Sequence, residues 1–194
     1  GVQDDTRFIQ AAISACPERS RVLIPEGTYL VSPLFLKSGI RVEIAKGAVL
    51  QGTLDRSKYP LLPGAVPSRD GKSEYYLATW EGNPLPAYAS LITGIDVTDV
   101  VLYGEGTIDG GGSEDGWYDR SRAKTLPARP RTVFFAGCTH MVIQGLTIRN
   151  SPSWTVHPYF TDDFRMLGTS IQNPKDSPNT DGFDPESCAG VEAI

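Results

Sequence analysis

Two stretches of the sequence repeat each other: MVIQGLTIRN at residues 141–150 and FRMLGTSIQN at residues 164–173. The second copy begins 23 residues after the first, and the offset aligns a glycine, an isoleucine and an asparagine. A period of roughly 20 to 25 residues, with short strands and glycine at the corners, is typical of one coil, or rung, of a parallel β-helix. The repeat therefore predicts an all-β fold, a right-handed parallel β-helix.

Further copies extend the repeat in both directions. An earlier copy begins at Val101 and has one additional residue after its glycine, and a later copy begins near Val191. From Arg21 onward, short runs of valine, isoleucine and leucine are separated by glycine, proline or serine, as expected for short strands joined by turns. A leucine-rich repeat is the competing solenoid, but the sequence lacks its regular leucine spacing. The β-helix is therefore favoured.

Three segments interrupt the periodic pattern. Residues 5–16 place apolar side chains at i, i+3 and i+4 behind an Asp/Thr capping signal, which predicts a short N-terminal α-helix that caps the open end of the β-helix. Residues 55–88 and 110–131 lack a sustained period, and we interpret them as loop excursions. Residues 1–194 are thus interpreted as a single β-helix domain that is incomplete, with further rungs expected C-terminal to residue 194.

The composition limits the classes of partner. The 194 residues carry a formal net charge of −5, whereas a general nucleic-acid binder needs a basic face to neutralise phosphates, so no nucleic-acid partner is expected. An acidic polysaccharide needs only a local basic patch. No run of about 18 apolar residues occurs, so no membrane partner is expected either. The sequence leaves the oligomeric state open.

The three cysteines indicate neither a metal site nor a disulfide. Their spacing is unlike that of metal-binding motifs, and no cofactor is expected. The repeat places Cys138, Thr161 and Cys188 at one corner of successive rungs. Because neighbouring rungs lie about 4.8 Å apart, Cys138 and Cys188 are expected to be about 9.6 Å apart, which is too far for a disulfide. Free thiols are therefore predicted.

The densest polar cluster lies at residues 176–188, with three aspartates and one glutamate. Residues at the same point of successive rungs fall in line on one outer face, so carboxylates from neighbouring rungs can flank a sugar in a groove. Glycoside hydrolysis needs two such groups, one acid and one base or nucleophile. Asp181 is a candidate for one of them. The alternative interpretation is a turn in which asparagine and aspartate side chains bind backbone groups.

One segment of this cluster resembles a known family. The sequence NTDG at residues 179–182, followed by Phe183 and Asp184, is similar to the Asn-Thr-Asp-Gly signature of the polygalacturonase family, glycoside hydrolase family 28. The loop at 55–88 and the sequence DPESC at 184–188 resemble bacterial exo-acting members. Four further segments are similar to that family in the same order: Asp4–Thr6, Ile24–Leu30, Gly104–Gly110 and Asn150–Pro158.

The resemblance implies inverting hydrolysis of α-1,4-linked galacturonan, a pectic polysaccharide, with Asp181 as the aspartate that activates water. Asp184 follows three residues later, which on a strand puts it on the opposite face and favours a structural role. The residues predicted to bind substrate supply an aromatic platform, hydrogen-bond donors and cations for galacturonate carboxylates: Trp154, His157, Asn179, Arg131 and Lys175. For His157, packing between rungs is the alternative role.

The family's later motifs are a paired aspartate, a Gly-His-Gly and an Arg-x-Lys, and they follow the Asn-Thr-Asp-Gly signature in members of the family. The sequence ends at residue 194, before any of them. Because the paired aspartate carries the general acid, the isolated chain is expected to be inactive. The substrate class further implies a secreted or periplasmic protein.

Two other functions are compatible with a β-helix. A calcium-dependent pectate lyase acts on the same polymer by β-elimination, and the acidic cluster at 176–188 could be a calcium site. A non-catalytic β-helix could instead bind a saccharide or act as a scaffold. Unsaturated products would identify the lyase, and saccharide binding without turnover would identify the scaffold.

Overall fold

The computed structural model of the protein describes residues 3–68, 70–77, 79–80, 82–118 and 129–194. The described chain contains one α-helix, α1 (Thr6–Ala15), and a short 3₁₀ turn at Arg56–Lys58. The strands, in chain order, are β1 (Arg21–Ile24), β2 (Gly27–Val31), β3 (Leu34–Phe35), β4 (Arg41–Ile44), β5 (Ala48–Gly52), β6 (Ala65–Pro67), β7 (Glu74–Tyr76), β8 (Thr79–Trp80), β9 (Asn83–Pro84), β10 (Ile92–Ile95), β11 (Thr98–Gly104), β12 (Thr107–Asp109), β13 (Val133–Ala136), β14 (Thr139–Gln144), β15 (Thr147–Arg149), β16 (Val156–Tyr159), β17 (Asp162–Leu167), β18 (Ser170–Gln172) and β19 (Ala189–Ala193).

Most of these strands form three parallel sheets. Their orders are β1-β4-β11-β14-β17-β19, β2-β5-β12-β15-β18 and β3-β10-β13-β16. The chain visits the sheets in turn, so neighbours within a sheet come from successive rungs. This arrangement is the predicted right-handed parallel β-helix, and the all-β assignment with one N-terminal helix is confirmed.

The strand register confirms the sequence repeat. Ile148 pairs with Ile171 in the next rung and with Ile108 in the previous one, as the 23-residue offset and the earlier copy predict. The later copy is also in register, since Phe164 pairs with Val191. Ile108 and Ile148 are fully buried in the central core, so the aligned isoleucines form one of its inward-facing columns.

Helix α1 covers one end of this core. Its buried residues Ile9 and Ile13 pack with the apolar side chains of the first rungs. Asp5 is the N-cap residue and makes no side-chain cap bond, whereas the carboxylate of the preceding Asp4 accepts hydrogen bonds from the backbone N–H and the hydroxyl of Thr6. A side-chain hydrogen bond from Lys58, aided by Thr6, lowers the pKa of Asp4 to about 2. Among the described residues, no helix has the length and apolarity required to cross a membrane.

Gly104 is required by the close approach of two rungs. Its φ angle is +126°, which side chains rarely adopt, and a Cβ atom at this position would overlap the carbonyl oxygen of Ile44. The backbones therefore meet at this corner without a side chain between them.

The cysteine prediction is confirmed, because Cys16, Cys138 and Cys188 are all free. Cys138 is buried and Cys188 is half-buried. Thr161 lies in the rung between them and donates its backbone N–H to the sulfur of Cys188 over 3.5 Å.

The excursion at 55–88 covers the outer face of the sheet β3-β10-β13-β16. It contains two small antiparallel hairpins, β6-β7 and β8-β9. Its buried apolar residues form a second core with outward-facing side chains of that sheet: Leu62, Leu77, Ala87 and Ala89 with Phe134, Ala136 and Tyr159. The second excursion is described only in part, because residues 119–128 lie outside the described residues; its Trp117 and Tyr118 are buried against Tyr59.

Candidate active site

Arg131, Trp154 and Asp181 lie at the same point of three successive rungs. The N–H of Thr132 donates to the carbonyl of Trp154 over 3.3 Å, and the N–H of Thr155 donates to the carbonyl of Asp181 over 2.8 Å. The segment that begins at Asp181 therefore continues the sheet β3-β10-β13-β16 beside β16. Asp181 is exposed, and Trp154 is half-buried. A carboxylate thus lies one rung from an aromatic ring on the outer surface.

Asn173 fixes the chain just before Asp181. Its amide nitrogen donates to the hydroxyl of Thr155 over 2.8 Å and to the carbonyl of Thr180 over 2.9 Å, and its amide oxygen accepts from the N–H of Ser151 over 2.8 Å. Because three of its hydrogen-bonding groups are used, Asn173 ties the Asn-Thr-Asp-Gly segment to the preceding rung.

Arg129 fixes the turn from the other side. Its Nη1 donates to the carbonyl of Pro152 over 2.8 Å and to that of Pro178, and its Nη2 donates to Oδ1 of Asn179 over 2.7 Å. Asn179 is exposed and has a φ angle of +55°, a conformation that asparagine tolerates better than most residues. The predicted substrate-binding group of Asn179 is therefore held by a cation. Lys175, in the same turn, is exposed.

A cleft of about 380 Å³ lies next to this column; it is lined by Gly82, Trp154, His157, Asp184, Pro185 and Glu186. Asp184 is half-buried, and its Oδ2 is buried without a hydrogen-bond partner among the described residues. Burial raises the pKa of Asp184 to about 6, the negative charge of Asp181 adds to this rise, and Arg131 opposes it. The carboxyl predicted to be structural therefore faces the cleft.

His157 forms the floor of the cleft and is fully buried. Its ring lies edge-on to Trp154 with centroids 5.0 Å apart. Nε2 is 3.3 Å from Oε2 of Glu186, in an orientation that is not that of a hydrogen bond, so the two groups form an ion pair only when His157 is protonated. Burial lowers the pKa of His157 to about 4 although Glu186 opposes this shift, so the imidazole is neutral at pH 7.

Arg131 is buried, with 5% of its surface exposed. Its guanidinium lies over the rings of Trp154 and Phe134, 5.1 and 5.4 Å from their centroids, and its Nη2 donates to the carbonyl of Thr79. Burial lowers the pKa of Arg131 to about 10, with Glu186 and Asp184 opposing the shift, so the group stays charged at neutral pH. Arg131 thus supports Trp154 from beneath.

The hairpin β8-β9, part of the excursion at 55–88, contributes side chains to the site. Trp80 stacks on Trp154 with centroids 4.6 Å apart and an interplanar angle of 7°. The hydroxyl of Thr79 donates to Oε2 of Glu186. Nothing in the aperiodic segment 55–88 signals these contacts, whereas the pairing of Arg131 with Trp154 was available from their spacing of one 23-residue period. In the described ranges, no cluster of three or more histidine, cysteine, aspartate or glutamate side chains is arranged to hold a metal ion.

The sequence matches the profile of a protein family described as glycosyl hydrolases family 28 over residues 17–194. A probable polygalacturonase from Vitis vinifera is 33% identical over 197 aligned positions, which cover 96% of this chain and 37% of the relative. An endo-polygalacturonase from Pectobacterium parmentieri is 26% identical and covers 96% of this chain and 46% of its own length. An exopolygalacturonase from Zea mays is 26% identical, over 98% of this chain and 42% of the relative.

Solved structures show the same fold. A hyperthermoactive exopolygalacturonase from Thermotoga maritima superposes with a TM-score of 0.81 at 24% identity, over 99% of this chain and 48% of the neighbour. A polygalacturonase from Erwinia carotovora ssp. carotovora superposes with a TM-score of 0.80 at 25% identity, over 100% of this chain and 52% of the neighbour. The chain spans less than half the length of the three curated relatives above.

Proposed function

Since the chain belongs to glycosyl hydrolases family 28, we propose that the full protein hydrolyses α-1,4-linked galacturonan and that Asp181 activates the attacking water. The observation that carries this proposal is the placement of Asp181, which is exposed one rung from Trp154, inside the segment that resembles the family's signature. Both endo- and exo-acting polygalacturonases are among the relatives.

In the proposed reaction, the carboxylate of Asp181 accepts a proton from water as that water attacks the anomeric carbon. A carboxylic acid on the other side of the bond protonates the leaving oxygen, and inversion requires the two groups to be about 6.5 to 9.5 Å apart. We assign the acid to the paired-aspartate motif that follows the Asn-Thr-Asp-Gly signature in the family.

The surroundings of Asp181 suit an acidic sugar. Lys175 offers an exposed cation in the same turn as Asn179. The ring of Trp154 is stacked on Trp80 and contacts the guanidinium of Arg131, so it supports the surface beside Asp181. The burial of His157 and Arg131 favours a role beneath the sugar-binding surface over direct contact with substrate. The exposed Lys175 can bind a galacturonate carboxylate although the net charge of the chain is −5.

We further propose exo-type cleavage by a secreted or periplasmic protein. The hairpin β8-β9 contacts the rungs of Arg131 and Trp154, which precede that of Asp181, and thus stands across the groove on one side. A polymer that cannot extend past the hairpin must bind with its chain end next to the hairpin. Cleavage near that end then releases short products. The location follows from the substrate, a polymer of plant cell walls.

The experiment that tests hydrolysis uses the full-length protein with polygalacturonate, following reducing ends and ultraviolet absorbance. We expect reducing ends without absorbance, and a loss of roughly a hundredfold or more for Asp181→Asn, as for removal of a general base. Asp176→Asn, an exposed aspartate of the neighbouring turn, is the matched control and should retain activity. Absorbance from unsaturated ends would instead identify a lyase, and binding without either product would identify a scaffold.

A further inference from the structure

We propose that Glu186 and Thr79 form a latch that determines cleavage mode by holding the hairpin β8-β9 across the groove, with Arg131 as the second anchor. The inference rests on the proposed function, because it concerns how galacturonan enters the site. All three are positioning residues: they act through Trp80 and the hairpin and do not contact the reacting atoms.

The latch joins the excursion to the β-helix through two groups of Thr79, its hydroxyl and its backbone carbonyl. The hydroxyl of Thr79 donates to Oε2 of Glu186, and the carbonyl of Thr79 accepts from Nη2 of Arg131. Thr79 itself is 5% exposed. Hydrogen bonds to charged groups are roughly twice as strong as those between neutral groups. Both hydrogen bonds of Thr79, to Glu186 and from Arg131, belong to this stronger class.

The charges beneath the hairpin favour its closed position. The guanidinium of Arg131 is held over two aromatic rings in a site that is 95% shielded, and burying a charge is costly unless it is paired and hydrogen-bonded. If the hairpin left, Arg131 would lose the carbonyl of Thr79, and Glu186 would lose its hydroxyl donor. The hairpin therefore supplies hydrogen-bond partners to Arg131 and Glu186 in addition to covering apolar surface.

The latch places two hairpin residues at the cleft. Trp80 stacks face to face on Trp154, so one face of the Trp154 ring is occupied by the hairpin, and Gly82 lines the cleft beside Glu186. Among the described residues, the hairpin contacts Arg131 and Trp154 in the two rungs before Asp181. It also contacts Glu186, which follows Asp181 by five residues in the same rung. The hairpin thereby closes the groove on the side of the earlier rungs. The exposed Asp181 lies next to the closed part of the groove.

The test compares latch variants of the full-length protein on long polygalacturonate and on trigalacturonate. Thr79→Val removes the hydroxyl while keeping the side-chain volume and the backbone carbonyl. Glu186→Gln removes the negative charge, and Trp80→Ala removes the ring that stacks on Trp154. The matched control is Glu105→Gln, because Glu105 is an exposed carboxylate on another sheet corner, 3.9 Å from Lys46. The measurements are the lengths of the first products, kcat/KM on each substrate, and the thermal midpoint.

We expect the wild type and Glu105→Gln to release monomer or dimer first. Loss of one charge-assisted hydrogen bond should raise the open fraction of the hairpin roughly tenfold to a hundredfold. The variants Thr79→Val and Glu186→Gln should then release intermediate oligomers from the polymer, and kcat/KM of Thr79→Val on trigalacturonate should change little. A merely structural role would lower the thermal midpoint without changing product length.

The outcomes separate the two proposals. Absence of new reducing ends with wild-type protein would refute the proposed function. Hydrolysis by wild type with intermediate oligomers from the start, or unchanged monomer and dimer from both latch variants, would refute the latch while leaving hydrolysis in place. If Thr79→Val and Glu186→Gln do not fold, Trp80→Ala decides the matter, since longer first products support the latch and unchanged products overturn it.

Discussion

Asp181 and Asp184 are two carboxyl groups in one short segment, on either side of the bridge residue Phe183, with different surroundings. Asp181 is exposed, whereas Oδ2 of Asp184 is buried without a hydrogen-bond partner among the residues the structure describes. Burial, and then the charge of Asp181, raise the pKa of Asp184 to about 6. At mildly acidic pH, Asp184 therefore holds a proton, and the pair avoids two neighbouring negative charges.

This difference predicts a pH-dependent stability effect for Asp184→Asn. The pKa of Asp184 is about 6 in the folded protein and about 3.8 as its ordinary value. Below pH 3.8 the group is protonated in both states, and its stabilising contribution is lost as the pH rises through about 6. Asparagine cannot lose a proton, so Asp184→Asn avoids this loss of folding stability. The variant should therefore be more stable than the wild type above pH 6 by on the order of 1 to 2 kcal/mol.

Thermal or urea unfolding between pH 4 and 8 measures this effect. The variant and the wild type should converge as the pH approaches 4, and Asp176→Asn should show no such pH-dependent gain because Asp176 is exposed in the turn. A variant that is equally or less stable than wild type at pH 7.5 would show that Asp184 is stabilised there as a carboxylate.

At the scale of elements, the turn at 174–180 is held between two rungs and one loop residue. Asn173 ties it to the preceding rung, and Arg129 ties Asn179 and the carbonyl of Pro178 to Pro152. Arg129 comes from the excursion at 110–131, so the position of Asp181 depends on a segment distant in sequence. Its half-buried guanidinium bridges three chain segments through donors only.

We therefore predict that Arg129→Ala in the full-length protein lowers kcat on galacturonan by roughly tenfold to a hundredfold with a smaller change in KM, because a displacement of about 1 Å can cost this much. Added guanidinium should restore part of the rate, which a general loss of folding would not allow. Arg165→Ala, an exposed arginine of β17, is the control. An unchanged kcat for Arg129→Ala would show that Asn173 alone positions the turn.

The elements differ in how far the sequence could predict them. The rungs were predictable because each buries the same inward positions, so Ile108, Ile148 and Ile171 recur in register. The helix α1 is one residue shorter at each end than the predicted range 5–16, because Asp5 and Cys16 are its cap residues. The hairpin β8-β9 was not predictable, because its position is set by Trp80 and Thr79 packing on distant side chains, which leaves no local period.

At the scale of the whole molecule, the β-helix provides a regular stack of rungs, and the excursion at 55–88 covers one face of this stack. Asp181 was identified from its motif, and Trp154 from its chemistry. Packing between rungs was one of the two roles expected for His157, whereas the burial of Arg131 was not foreseen, because it depends on the excursion that covers the sheet. Sequence patterns thus located the catalytic candidate, whereas the shape of the groove follows from packing between non-repeating segments.

The central claim is that Asp181 activates water in an inverting hydrolysis. The most direct test is proton NMR of the first products that full-length protein releases from polygalacturonate, before the anomers equilibrate. The account predicts new reducing ends in the β configuration from the α-linked substrate, and their loss in Asp181→Asn. New reducing ends in the α configuration, or signals of unsaturated sugar ends, would contradict it.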